Sequence, residues 1–147
     1  MIRELTIDDL PDLEETAREF YAASRALGEF KLDRFCEMWR FLLTGGDGVI
    51  FAWDSDGEIV GVLGGIVHRD IYSESTIAEE FFWFIREAHR GGGVALYRRF
   101  EQWARDKGAA QIQMVHLLDV MPERVSRFYR RAGFEPIETR YAKRLTA

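Results

Sequence analysis

The apolar and polar positions along the chain follow two different periods. Ile2 to Leu5 reads as a short first strand. Thr6 followed by Asp9 marks a helix start. Leu10, Leu13, Ala17, Phe20 and Tyr21 then recur at helical spacing through Ser24. A second helical pattern runs from about Leu32 to Leu43, with Phe35, Met38, Trp39 and Leu42 on one face and Gly45, Gly46 and Gly48 to end it. From there the period falls to two. Val49 to Trp53 and Glu58 to His68 are rich in β-branched and apolar residues, and Asp54-Ser55-Asp56-Gly57 between them is a hairpin turn by composition. Gly61, Gly64 and Gly65 mark bulges or a close backbone approach in the second of these strands. Ser75 to Arg86 is a longer strand, and its Phe81-Phe82-Trp83-Phe84-Ile85 core is apolar on both faces, as in a central strand covered on both sides.

After Gly91-Gly92-Gly93 the helical period returns. Leu96, Tyr97, Phe100, Trp103 and Ala104 line one side, with charged and amide residues on the other. Ala110 to Leu117 is a strand with Ile112, Met114 and His116 on one face. Met121-Pro122 opens a helix that runs to Ala132 and stops at Gly133. Phe134-Glu135 and Glu138 to Leu145 read as terminal strands. The expected order is β-α-α-β-β-β-α-β-α-β-β, in a single domain over residues 1–147 with no repeat or linker.

Composition narrows the function classes. The net charge of −5 argues against a free-standing nucleic-acid binder, which would more often be basic. One cysteine, Cys36, allows no internal disulfide and fits a reducing compartment. The charged start, Met1 to Leu10, does not have the form of a signal peptide, and no apolar run reaches bilayer length. The expectation is a cytoplasmic protein with no membrane and no nucleic-acid partner. No His/Cys/Asp cluster has metal-ligand spacing, so no metal is expected.

The chemistry is concentrated at Ile85-Arg86-Glu87-Ala88-His89-Arg90-Gly91-Gly92-Gly93-Val94-Ala95-Leu96. A buried strand leads through a glycine-rich turn into an amphipathic helix. The first amides of that helix lack intrahelical acceptors, the helix dipole adds positive charge there, and glycines admit a bulky anion. Arg90 adds a formal positive charge. On glycine content alone a plain loop is the competing reading. Other phosphate motifs fit badly: a dinucleotide fingerprint starting at Gly91 would need glycine where Leu96 stands, and the chain has no Gly-Lys pair for a P-loop.

Arg90-Gly91-Gly92-Gly93-Val94-Ala95 resembles the signature of the GNAT superfamily of N-acetyltransferases, in which Arg or Gln is followed by two residues, Gly, one residue, then Gly or Ala. Phe128-Tyr129-Arg130-Arg131-Ala132-Gly133-Phe134 matches the second signature of that family, an aromatic residue and Tyr followed three residues later by Gly-Phe. The resemblance covers about Val49 to Leu145. It implies an α/β (α+β) fold with a central mixed, mostly antiparallel twisted sheet of about six to seven strands flanked by about four helices.

It also implies an acetyl-coenzyme A dependent acyltransferase that moves an acetyl group to a primary amine by direct attack in a ternary complex. Backbone amides of Gly91, Gly92, Gly93, Val94 and Ala95, with Arg90, are expected on the pyrophosphate of coenzyme A, and Phe84, Ile85 and Arg86 along its pantetheine arm. Tyr129 would lie near the sulfur and protonate the leaving thiolate. Many members carry an Asn seven residues before this Tyr. Here that position is Pro122, and the chain has no Asn. Dimers are frequent in the family, which puts a homodimer among the expectations.

An alkyl ammonium has a pKa of about 10.4, so the attacking amine needs a base. By the resemblance Glu79 holds that place, while Glu80 should face the other side of the strand. Solvation of a strand end by both acids is the competing reading. His116 on the next strand is a second candidate, His68 could line the acceptor cleft, and His89 reads as a surface residue. The segment from Ser24 to Gly48 is expected to border the acceptor. The alternatives are a non-catalytic acyl-coenzyme A-binding or regulatory module on the same fold, and a nucleotide binder.

Overall fold

A computed structural model describes residues 1–24, 26–117 and 121–146 of the chain. They fall into two compact units, Met1–Val115 and His116–Ala147. The first unit holds helices α1 (Glu14–Ala23), α2 (Leu32–Thr44) and α3 (Gly93–Asp106). Its sheet has the order β1-β2-β3-β4-β5, with β1 Ile2–Glu4, β2 Gly48–Ser55, β3 Glu58–Arg69, β4 Thr76–Ile85 and β5 Gln111–Gln113.

β1 to β4 pair antiparallel in succession, and β5 runs parallel to β4. Asp56 and Gly57, with φ of 55° and 87°, join Ser55 to Glu58 in a two-residue turn. Positive φ at both positions matches the right-handed twist of the two strands. A parallel pair needs a crossover, and α3 supplies it. Ile7–Leu13 is a 3-10 turn that leads into α1, with Pro11, which has no N–H to donate, inside it.

The strands are covered on both faces, as the apolar run in β4 predicts. On one face Trp39 of α2 stacks on Phe82, with ring centroids 4.8 Å apart and planes 6° apart. Phe20 of α1 meets Phe84 edge-on at 5.6 Å. On the other face Leu96, Tyr97, Phe100 and Ala104 of α3 are buried. The buried Thr16 hydroxyl of α1 donates to the Ile59 carbonyl at 2.8 Å, which offsets the cost of taking it out of water.

The β3–β4 ladder has one irregularity. Gly64 pairs with Phe82, but Gly65 pairs with Glu80, so Phe81 has no partner across the ladder. Strict alternation would place Glu80 on the face of Phe82 and Phe84. Through the bulge it is Glu79, opposite Ile66, that joins them, because Val62, Gly64 and Ile66 of β3 share one face and pair with Phe84, Phe82 and Glu79. The expectation of bulges or close approach at the glycines is met. A β-carbon on Gly64 would lie 2.4 Å from the Phe82 ring, and one on Gly65 2.2 Å from the Glu79 carbonyl oxygen.

The second unit carries α4 (Pro122–Arg131), with Pro122 in its first turn and Gly133 at φ 87° after its end. The two expected terminal strands are not found there. Five strands form among the described residues, against the expected six to seven. A strand needs a ladder partner and a face to cover, and Ile137, Tyr141 and Leu145 are 62%, 93% and 88% exposed. The expected strand over Ala110 to Leu117 shortens to Gln111–Gln113, because Val115 donates its N–H to the Glu80 carboxyl at 2.7 Å instead of to a strand.

Glu80 is the buried exception of the sheet, 4% exposed. Burial, above all, pushes its carboxyl up from 4.5 to about 8, against the Val115 N–H, which favours the charged form. The folded protein therefore binds a proton that the unfolded chain has released between these two values. Stability contributed by that proton is full below about 4.5 and declines as pH rises to about 8. Urea unfolding across this window should show falling stability in the parent protein and a flatter profile in Glu80→Gln.

Candidate active site

Two places gather the residues picked out from the sequence. The first is the turn from β4 into α3. The Arg86 N–H donates to the Val60 carbonyl at 2.9 Å, which fixes the end of β4 on β3. Its guanidinium, 14% exposed, is held by three carboxylates: Nε to Glu19 at 2.7 Å, Nη2 to Glu15 at 2.8 Å, and Nη1 to Glu58. That clamp ties α1 to the β3–β4 pair. These charge-assisted bonds engage the guanidinium with protein carboxylates.

Glu87–His89 then forms a single 3-10 turn, and Gly91 takes φ 125°, a conformation open to glycine. Gly92 precedes the first residue of α3, Gly93. Phe84 is buried and Ile85 half-buried. Gly92 and Gly93 are half-buried, and Gly91, Val94 and Ala95 are exposed. The first-turn amides of α3 have no intrahelical acceptor, and no acidic residue of that turn neutralises the positive end of the dipole. Arg90 approaches Glu87 only at 3.9 Å. The arrangement can bind an anion through backbone amides.

Trp53 is a residue that the sequence reading missed. A β-carbon on Gly92 would lie 2.3 Å from its ring. The ring of His89 stands edge-on to Trp53 at 6.1 Å, and His89 Nδ1 is buried with no hydrogen-bond partner among the described residues. His89 is therefore packed at the turn, not a surface residue. Its signal was the alternation of β2, which sends Trp53 to the same side as Phe51.

The second place is the far end of β4. Glu79 and Glu80 diverge, as the pleat predicts. Glu80 is buried, while the side chain of Glu79 is 31% exposed and accepts at 2.9 Å from Nε2 of His68 on β3. Nδ1 of His68 lies 2.9 Å from the Arg69 carbonyl oxygen. The bond to Arg69 is the chief cause raising the His68 pKa above its ordinary value, with Glu79 adding to it against a smaller opposing effect of burial. Arg25, in the segment expected to border the acceptor, lies outside the described residues.

His116 and Tyr129 both belong to the second unit. Their rings meet edge-on, with centroids 6.4 Å apart. Phe134 lies 5.2 Å from the Tyr129 ring, and its N–H donates to the Tyr129 carbonyl at 2.9 Å. His116 Nε2 is buried with no hydrogen-bond partner among the described residues. Arg124, Arg127, Arg130 and Arg131 are exposed on α4. Among the described residues no group of His, Cys, Asp and Glu could hold a metal, and no helix is long and apolar enough to cross a membrane.

Comparison with known proteins gives a consistent result. Residues 8–134 match the model of the acetyltransferase (GNAT) family. No curated protein sequence matches the chain. Among solved structures, the glucosamine-6-phosphate N-acetyltransferase of Arabidopsis thaliana superposes with a TM-score of 0.76 at 14% identity, covering 99% of this chain and 98% of that one. The ribosomal-protein-alanine N-acetyltransferase of Brucella melitensis biovar Abortus 2308 gives 0.74 at 16% identity, with 99% of each chain covered. An aminoglycoside acetyltransferase from an uncultured soil metagenomic sample, in complex with sisomicin, gives 0.74 at 21% identity over 99% and 96%. At these identities the likeness is one of fold.

The Gly92 contact makes a prediction that is independent of activity. The backbone there, φ −90° and ψ −2°, suits any residue, so the cost of a side chain is steric. Gly92→Ala should destabilise the fold by about 1–3 kcal/mol through overpacking. In a Trp53→Leu background most of that cost should vanish. A double-mutant cycle by chemical denaturation measures the coupling, and additive effects would show that Trp53 does not set the glycine requirement.

Proposed function

This chain belongs to the acetyltransferase (GNAT) family, and from that premise we propose that it transfers an acetyl group from acetyl-coenzyme A to a primary amine. The observation that carries the proposal is the open first turn of α3, where Gly92, Gly93, Val94 and Ala95 follow the short turn after β4 with no acid among them. A diphosphate is the anion such a turn suits. Each charge-assisted amide bond contributes roughly 1.5–3 kcal/mol. Arg90 would add a formal charge, and Phe84 and Ile85 would flank the pantetheine arm. Arg86 would act there by fixing the end of β4, since its guanidinium is occupied.

Acetyl-coenzyme A, when bound, supplies an activated thioester. The rest of the reaction falls to side chains. Glu79 takes a proton from the acceptor ammonium, which frees the lone pair that attacks the carbonyl. Tyr129, by its place in the second signature, gives a proton to the departing sulfur, and His116 beside it is the second candidate for proton transfer. An amine acceptor is supported by the names of the three solved structures, a glucosamine-6-phosphate N-acetyltransferase, a ribosomal-protein-alanine N-acetyltransferase and an aminoglycoside acetyltransferase. Pro122 in place of the Asn of many family members favours a second reading, an acyl-coenzyme A-binding module without turnover.

Thiol release from acetyl-coenzyme A, followed with a panel of aminoglycosides, polyamines and peptides, separates the two. Release with at least one amine is the expected outcome, and binding by calorimetry without release would establish the second reading. Tyr129→Phe should lower kcat by roughly 10–100-fold with little change in cofactor affinity. Gly93→Glu should abolish coenzyme A binding, because it sets a carboxylate against the anion in a position where even a β-carbon lies 3.2 Å from the Trp83 ring.

A further inference from the structure

His68 is bonded in a way that fixes which of its protons can move. Its two ring nitrogens face two acceptors, the Arg69 carbonyl oxygen at Nδ1 and Glu79 Oε2 at Nε2, each at 2.9 Å. A neutral imidazole has one N–H, so it satisfies one of these and turns a lone pair on the other. Only the imidazolium satisfies both. The carbonyl cannot become a donor at any pH, whereas a carboxyl that has taken a proton can, so once Glu79 is protonated the ring's own proton belongs on Nδ1. The proton that comes and goes is the one on Nε2, between the ring and Glu79.

We propose that His68 is a positioning residue of the acceptor site, holding on Nε2 the proton that Glu79 takes from the attacking amine. The inference rests on the function proposed above. An ammonium acceptor loses two protons as it becomes an amide. One ends on the thiolate sulfur, and the other passes through Glu79 Oε2 to His68 Nε2 and from there to solvent. The amine lone pair forms the C–N bond as the C–S bond breaks. Glu79 can pass a proton to the ring only while Nε2 is bare, so this route depends on neutral His68.

The charged groups that act on the ring are acids. Glu79 faces it from β4, and Asp70 follows it at the hairpin tip. The Asp70 carboxylate is held by the Ser73 hydroxyl at 2.9 Å and the Tyr72 N–H at 3.3 Å, and the Arg69 guanidinium is drawn to Glu74. On the β2 side, the Asp47 backbone carbonyl accepts the Val67 N–H at 2.8 Å. With the Arg69 carbonyl these acids outweigh burial, and the ring holds its second proton above the ordinary 6.5.

The chain has three histidines, so nitrogen-15 NMR of the labelled protein can follow each one, with His68 assigned by its loss in His68→Gln. Both ring nitrogens of His68 should be protonated below a midpoint that lies above 6.5, and Glu79→Gln should lower that midpoint. With an amine acceptor in excess, kcat of the parent should rise with pH through the same midpoint. In His68→Gln the amide N–H can still donate to Glu79, but the rising limb should disappear and kcat should fall by roughly 10-fold or more. A His68 midpoint at or below 6.5, or a His68→Gln enzyme that turns over with the parent's pH profile, overturns the proposal while leaving acetyl transfer intact. No thiol release with any amine would instead overturn the functional reading, and this proposal with it.

Discussion

Between Gly64 and Gly65 the β3–β4 ladder gains one residue on the β4 side, and the side chains of β4 take their layers from that shift. Below the bulge Glu79 shares the face of Phe82 and Phe84, and Glu80 goes to the other side. The two glycines and the bulge require each other. The Phe82 ring fills the space a Gly64 side chain would need, and the Glu79 carbonyl oxygen fills that of Gly65. A β-carbon at either position would press on an aromatic ring wedged against Trp39, or on backbone, and neither can yield cheaply. The polar pair His68 and Glu79 and the aromatic stack are thus placed by one local event.

The other end of β4 is fixed by charge. Arg86 closes the strand with three carboxylates, two from α1 and one from the first residue of β3. Immediately after it the chain must turn into α3, and Gly91 and Gly92 do this with a positive φ and a missing side chain under Trp53. One strand therefore carries the amide-rich helix start at its C-terminal end and the His68–Glu79 pair near its other end. The sheet between them sets their separation.

Much of this was legible in the amino-acid order. Helical spacing located α1 to α4, the Asp56-Gly57 turn identified the β2–β3 hairpin, and the glycines of β3 announced the close approach. The ladder register was not legible, since a one-residue slip is invisible to periodicity. For that reason the contact of His68 with Glu79 was missed: the two are diagonal neighbours, His68 lying opposite Ile77 and Glu79 opposite Ile66. Trp53 under Gly92 was missed because it joins residues 39 apart that no local pattern links. The terminal strands failed for another reason. Apolar residues at strand-like spacing in Glu138 to Leu145 satisfy a composition rule, but a strand exists only where a neighbour offers hydrogen bonds.

Glu79 and Glu80 show how far environment separates identical side chains. Glu79 keeps contact with water and with a ring nitrogen that can carry charge. Glu80 is enclosed, its one hydrogen bond in the described residues comes from the Val115 N–H, and burial holds its proton to about 8. A buried carboxyl with one backbone donor is more stable neutral than charged. Near neutral pH Glu80 therefore acts as a fixed acceptor that turns the chain away from β4 just past Gln113, where the β4–β5 ladder has already ended. If Glu80 lost its proton there, no cation among the described residues would act on the charge. The neighbouring carboxyls therefore differ in setting: the enclosed one meets the Val115 N–H where the strands part, and the wet one faces His68.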